Sequence, residues 1–455
     1  MNPAAYPHHK VSRIEWLGEV PSHWDEKPLK HLADIDSCGS YGIEPEGAEI
    51  VLPVATTAQI DSDGRFAVDE MPQRGFVPLE VERYGCAAGD ILVVKSSGSG
   101  TNIISGKAGL VDEFTPHFVF SNFLMRVRPV KERAVPKFVF FLLRSDLTRQ
   151  RVELMCSTTT YPNLQIGEYT SVLLPVPSIP EQEKIAAFLD WKTEQIDALI
   201  ARKKELLEKL KEERLAVITQ AVTQGLNPAA PMRDSGIPWL GKVPQHWEVN
   251  RIKFVGRVGN GSTPSRENPL YWDNGDYPWL NSSVVNQEAV TMADQFVTAD
   301  ALAECHLPIV HPPAVLIGIT GEGKTRGMAT TLLFEATINQ HLAYFKPDPS
   351  QAVVGFVRRV FDMAYAYLRS ESEGGGSTKG AITCEQITEM SIPVPPIVEQ
   401  EAIAKHVDAE TQRIDRMTIK IEAAIDRLTE YRIALITSAT TGKIDVRKVK
   451  LGSAA

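Results

Sequence analysis

The sequence predicts an α/β (α+β) chain built as a pseudo-twofold internal repeat, two similar globular domains joined by two long helices. Three observations predict it. Two sequence signatures each occur twice, about half a chain apart. Short apolar runs broken by Gly, Pro, Ser, Thr and Asn fill the stretch between them, as short strands do. Two segments of roughly 40 residues lack internal Pro and Gly and carry an apolar residue every seventh position.

The first signature opens each repeat. Ile14–Lys30 reads IEWLGEVPSHWDEKPLK and Ile237–Lys253 reads IPWLGKVPQHWEVNRIK, with both tryptophans kept. The apolar runs Ile91–Lys95, Val119–Val127, Val315–Thr320 and Leu342–Phe345 read as strands. One helical segment follows in each repeat, near Lys137–Leu147 and Phe356–Leu368. The second signature closes each repeat: PVPSIPEQEKIAAFLD at 175–190 and PVPPIVEQEAIAKHVD at 393–408. The long helices start there. Pro180 suits a first helical turn, and Glu181, Glu183, Glu399 and Glu401 complement the macrodipole. Gly225 and Gly442 suit the stops.

Leu189, Ile196, Leu210 and Val217 form the expected seam of the first long helix, with Lys203 interrupting it. Val407, Ile414, Ile421, Leu428 and Leu435 form that of the second. Ile185, Leu199, Leu206, Ile403, Met417, Ala424 and Tyr431 are the intervening apolar positions. Two matched helices in one chain favour pairing with each other over a homodimeric coiled coil. The expected division is 11–178 for the first domain, 179–225 for its helix, 233–396 for the second domain and 397–442 for the second helix.

Composition narrows the class. At about 150 residues per domain, 455 residues allow three compact units. An apolar share of 43% and a charged share of 23% exclude a mostly disordered chain. The formal net charge of −9 provides no broad positive field for nucleic acid or membrane, so any DNA contact rests on local basic surface or on partner chains. Five scattered cysteines without C-x-x-C spacing argue against a disulfide framework or structural zinc. The opening MNPAAYPHHK shows no signal peptide, and no apolar run approaches ~20 residues, so a cytoplasmic protein is expected.

The doubled W-L-G-x-V-P-x-H-W and P-x-P-x-x-x-E-Q-x-x-I signatures, with the paired long segments, resemble the specificity subunit of type I restriction-modification systems over about 11–443. The resemblance implies two target-recognition domains, each reading half of a split, asymmetric DNA site. It implies that the long helices pair as an antiparallel coiled coil, set the spacer and dock two methylation (M) subunits, with two restriction (R) subunits completing the nuclease form. It implies no active site or metal in this chain. S-adenosylmethionine is expected in the methylation subunits, and ATP and magnesium in the motor and nuclease subunits.

Base reading needs paired donors and acceptors, and phosphate anchoring needs cations. In the first domain, KSSGSGTNIISGK offers Lys95, Ser97, Ser99, Thr101 and Lys107, and SNFLMRVRP offers Asn122 and Arg126. STTTYPN adds Thr160 and Tyr161. In the second domain the candidates are Arg266, Lys324, Arg326, then Asn339, Gln340 and His341 in TINQHLAYF, and Lys379 after a triple glycine. The bland alternative for each loop is a solvated hairpin without a ligand.

Two other readings stand beside this one. Gly318–Thr325 reads GITGEGKT and fits the phosphate-binding loop of a P-loop NTPase by letter. About seventy residues remain before the second long helix, too few for a five-stranded P-loop sheet, and no magnesium-binding Asp strand follows. A coiled-coil scaffold that binds only protein is the third reading.

Overall fold

A computed structural model describes residues 4–14, 16–96, 98–99, 102–156, 163–321, 323–373 and 380–451. The chain divides into two compact units, Met1–Lys203 with Ala423–Ala455, and Lys204–Glu422. This division cuts across the linear one expected from sequence. Each unit takes one globular domain, the first half of one long helix and the second half of the other.

In the first unit, an antiparallel sheet runs in the order Ala108–Leu110, Ile91–Val94, Leu124–Pro129, Ala33–Asp36. The run Ile91–Val94 is buried throughout, because both faces of this sheet are covered. Ile91, Val93, Met125 and Val127 pack toward the helix Pro136–Leu143 and the long helix. Leu92, Val94 and Leu124 pack the other way, against Ile60, Phe118 and Phe120. A small sheet sets Ile50–Ala55 between Val119–Phe120, parallel, and Gln73–Phe76, antiparallel.

The second unit repeats this plan. Gly256–Asn260, Leu342–Pro347, Ala314–Gly318 and Ala329–Leu332 are antiparallel neighbours, with Ala289–Val290 added in parallel at the edge. The small sheet sets Tyr277–Leu280 between Thr337–Ile338 and Gln295–Val297. The single helix Val354–Glu373 replaces the Pro136–Leu143 and Asp146–Cys156 pair of the first unit. Its Arg358 and Arg359 are buried and meet Glu288, Asp362 and Asp408.

The doubled signatures are the joints between domain and helix. Asp25–Pro28 pairs with Leu173–Val176, and Glu248–Arg251 with Ser391–Val394, so each domain ends beside its own beginning. The long helices, Ile179–Gln224 and Ile397–Thr440, start at these points. Glu181 Oε1 accepts from Trp24 Nε1 at 3.2 Å and from the Tyr6 hydroxyl at 2.7 Å, and His23 Nε2 lies 2.9 Å from its Oε2. In the second unit, Glu399 accepts from Trp247 Nε1 at 2.9 Å and meets His246 Nε2 at 2.8 Å. The neighbouring glutamine holds the domain's helix: Gln182 Oε1 accepts from Val135 N, and Gln400 Oε1 from Val353 N, both at 2.8 Å. These are the first-turn donors that a helix leaves without internal partners.

The same tryptophans meet the far end of the other long helix. A Cβ on Gly225 would lie 3.0 Å from the Trp247 ring, and one on Gly442 would lie 3.3 Å from that of Trp24. Both glycines have positive φ, 75° and 77°, and end the helices in the left-handed conformation. In each unit the start of one long helix and the end of the other therefore share one indole, and the two helices run antiparallel.

Of the expected seam, Leu189, Ile196, Leu210, Val407, Ile414 and Leu435 are buried, and Val217, Ile421 and Leu428 are half-buried. The second line of contacts matches expectation only in part. Ile185 and Ile403 are buried and Met417 and Ala424 half-buried, but Leu199, Leu206 and Tyr431 are exposed, and covered positions also lie four residues after the seam residues: Thr193, Ile200, Leu207, Thr411, Ile425 and Ala439. Apolar residues at both 199–200 and 206–207 left spacings of three and four equally open. Thr193 and Thr411 enter the seam because each hydroxyl donates to a carbonyl one turn back, Leu189 O and Val407 O, at 2.8 Å. Ion pairs flank the seam, Arg432 with Asp197 at 2.8 Å in one unit and Arg413 with Glu213 at 2.9 Å in the other.

Candidate nucleic-acid interface

In the second unit, the chain leaving Gly256–Asn260 crosses directly over the end of Thr337–Ile338. A Cβ on Gly261 would fall 1.8 Å from Ile338 O, so only glycine lets the backbones pass. Ser262 N then donates to that same carbonyl at 3.0 Å. The turn above it is fixed from below. Asn339 N donates to Leu280 O at 2.9 Å and Ile319 N donates to His341 O at 3.0 Å, which ties the turn to both sheets. Asn339 is buried, and its Oδ1 accepts from His341 N at 3.0 Å.

Only Gln340 and His341 of this turn face solvent. The Thr263 hydroxyl donates to Gln340 Oε1, Gln340 Nε2 lies 3.4 Å from His341 Nε2, and His341 Nδ1 lies 2.8 Å from Thr320 Oγ1. Three loops distant in sequence thus meet in one exposed polar row.

The first unit builds the same turn. A Cβ on Gly39 would fall 1.9 Å from Phe120 O, which also accepts from Ser40 N at 3.0 Å. Ser121 N donates to Ala55 O at 2.9 Å, and Lys95 N donates to Phe123 O at 3.0 Å. Asn122 and Phe123 are exposed, in the places taken by Gln340 and His341.

The structure sorts the other sequence candidates. Arg126 and Arg326 are buried, against the expectation that they face a ligand. Arg126 pairs with Asp36 at 2.5 Å and donates to Gly85 O and Arg83 O, because its strand position points into the domain. Arg326 lies so close under Gly380 that a Cβ there would meet its guanidinium at 1.7 Å. The Lys107 ammonium donates to Ile60 O, and burial holds its pKa below the ordinary lysine value. The Lys95 ammonium donates to Ser37 O at 2.6 Å near the display turn. Arg266 is exposed, stacks 3.8 Å from the Trp272 ring centre and donates to Gln295 Oε1 at 2.9 Å. Lys324 is exposed at a hairpin. Ser97, Thr101, Thr160, Tyr161 and Lys379 lie outside the described residues, and of Ser99 only the backbone is described.

Gly318–Thr325 is not a P-loop. The strand Ala314–Gly318 turns back antiparallel into Ala329–Leu332, with Gly318 N donating to Met328 O at 2.9 Å. A phosphate loop needs a helix N-terminus directly after it, and here residues 324–327 are a turn that leads into the strand Ala329–Leu332.

Sequence reasoning missed Gly39–Ser40, Gly261–Ser262–Thr263 and Thr320. For the two glycine–serine pairs the signal was nearly equal distance behind the opening signature, in CGSYG and in NGSTP.

Fold and site together define a duplicated polar reader: two domains of one topology, each displaying a different pair of side chains on a matching turn, tied by antiparallel helices. A family described as the type I restriction modification DNA specificity domain matches residues 21–211 and 244–427. The chain belongs to this family and is a DNA-specificity subunit. It is 23% identical over 438 residues to a putative type I restriction enzyme MjaX specificity subunit of Methanocaldococcus jannaschii, covering 95% of this chain and 96% of that one. It is 22% identical to the StySPI specificity subunit of Salmonella potsdam over 94% of this chain and 90% of that one. Two solved structures share the fold. One is a chain of a type I R-M system studied for complex assembly and conformational transition, with TM-score 0.72, 18% identity, and 93% and 99% of the two chains covered. The other is the HsdS subunit of Thermoanaerobacter tengcongensis, with TM-score 0.54, 18% identity, and 93% and 98% covered. Among the described residues no helix is long and apolar enough to cross a membrane.

Proposed function

We propose that each globular domain reads one half of a split, asymmetric DNA site and that the paired helices set the gap between the halves. The observation that carries this is the repeated display turn, alike in backbone and different in side chains. Different displayed residues on one scaffold give two half-sites of different sequence.

The chain acts here without an active site of its own. Two methylation subunits dock on the helices and supply S-adenosylmethionine chemistry at adenine, and restriction subunits, where the system has them, supply ATP- and magnesium-dependent steps. With a net charge of −9, the isolated chain binds DNA weakly, and the partners add the missing positive surface. Nanomolar specific binding by the isolated chain in a gel-shift titration at physiological salt would contradict this.

The test of the function is a map of methylated adenines in the host genome with and without this chain. A bipartite motif of two unlike halves should vanish when the chain is deleted. An unchanged map, or loss of an unbroken palindrome, would overturn the proposal.

A further inference from the structure

The display turns lie in segments that align in sequence, SNFLMRVRP and TINQHLAYF, and the fold adds a shared backbone geometry. Asn122 sits in SNFL and Gln340 in NQHL. In both, a glycine passes within 2 Å, counted from a would-be Cβ, of the carbonyl that precedes the turn. In both, the next serine N–H donates to that carbonyl at 3.0 Å, and a third loop's N–H holds the turn's last carbonyl at 3.0 Å. The first side chain that each turn presents to solvent is a carboxamide.

A carboxamide is the side-chain group that matches adenine in the major groove: its oxygen accepts from N6–H while its nitrogen donates to N7. Gln340 is set up for this in advance. The Thr263 hydroxyl occupies one lone pair of Oε1, and the His341 ring lies beside Nε2. An amide oxygen keeps a second lone pair and the nitrogen a second hydrogen, so both partners orient the amide without exhausting it. The Thr320–His341 contact fixes the ring that does so.

Building on the two-domain reading above, we propose that Asn122 and Gln340 are the equivalent specificity-determining residues of the two domains, each reading an adenine in its own half-site. His341 and Thr263 are positioning residues for Gln340. Phe123, which takes the place of His341 in the first domain, leaves Asn122 without that brace and gives the first half-site an apolar neighbour instead.

The experiment uses the full chain in its complex, in a host lacking its own copy, and reads the methylated motif of Asn122→Asp and Gln340→Glu. A carboxylate accepts but does not donate, and suits the N4 amino group of cytosine. Asn122→Asp should shift one position of the first half-site from adenine toward cytosine, with about a tenfold change in preference. Gln340→Glu should do the same in the second half-site, and each variant should leave the other half untouched. A wild-type motif retained by both variants would overturn the proposal, as would change spread over a whole half-site.

If an acidic variant methylates nothing, Asn122→Ala and Gln340→Ala decide the matter without added charge. Relaxation at that single adenine supports the proposal, and an unchanged motif ends it. Exchange of residues 233–396 for those of a relative separates this from the reading it rests on. If exchange rewrites one half-site while the amide variants rewrite nothing, the amide assignment alone fails.

Discussion

Glu181 and Glu399 hold matching places in the sequence, and their surroundings differ in a way that sets their worth. Glu181 has a side chain 6% exposed and Glu399 one 41% exposed. Removing Glu181 strands the buried Trp24 indole N–H and the Tyr6 hydroxyl. Glu181→Ala should therefore cost about 2 kcal/mol in denaturant unfolding, and Glu399→Ala about half that or less. Equal costs would refute the difference. Glu288 supplies a pH test. Burial by itself would raise its pKa, but Arg358, Arg359 and Arg214 hold it below the ordinary carboxylate value. A carboxyl whose folded pKa is lowered stabilises fully above the unfolded value and loses that contribution as pH falls through the folded one. Glu288→Gln should thus flatten the acid limb of the stability profile below about pH 4.5, the unfolded-state range of a glutamate. A parallel curve for the variant would contradict this. At this scale little of the site was legible. Asn122, Gln340 and His341 stood out by chemistry, but Arg126, Arg326 and Asn339 have equally suitable groups and are buried. Strand phase and a loop crossing decide between them, and neither is written in a local string.

The long helices were far more legible than the loops. Their limits follow from proline, glycine and signature positions, and one line of the seam follows from its period of seven. The second line followed only in part, because adjacent apolar pairs at 199–200 and 206–207 fit either spacing, and the threonines that fill the seam look polar in sequence. The tryptophans of the opening signature stood out only as kept in both copies. Their role at the meeting of one helix start and another helix end needs the fold. Inserting four residues into each long helix, beside Lys203 and beside Ala423, adds ~6 Å at 1.5 Å per residue. A four-residue insertion is a stutter that a coiled coil absorbs by local unwinding. Against ~3.4 Å per base pair, the methylated motif should keep both halves and gain a spacer one or two base pairs longer. An unchanged spacer would show that the helices do not set it.

The chain as a whole is a repeat in which the fold is constant and the displayed side chains vary. The doubled signatures made the repeat visible, since joints must be alike for the two halves to share one pair of helices. The segments of the display turns align in sequence, but the backbone geometry they share stayed hidden, with Asn122–Phe123 in one and Gln340–His341 in the other. Lys324 puts the hairpin of the second domain to the test. On an antiparallel hairpin, Lys324→Ala should leave nucleotide affinity unaffected and reduce the salt dependence of DNA binding by the complex by about one counterion. A loss of nucleotide binding would restore the P-loop reading. The most direct measurement of the central claim is the methylated-adenine map of a host carrying this chain with residues 233–396 exchanged for those of a relative. Independent reading predicts a motif with one half replaced, and the other half and the gap length kept. A motif changed in both halves, or in neither, would contradict it.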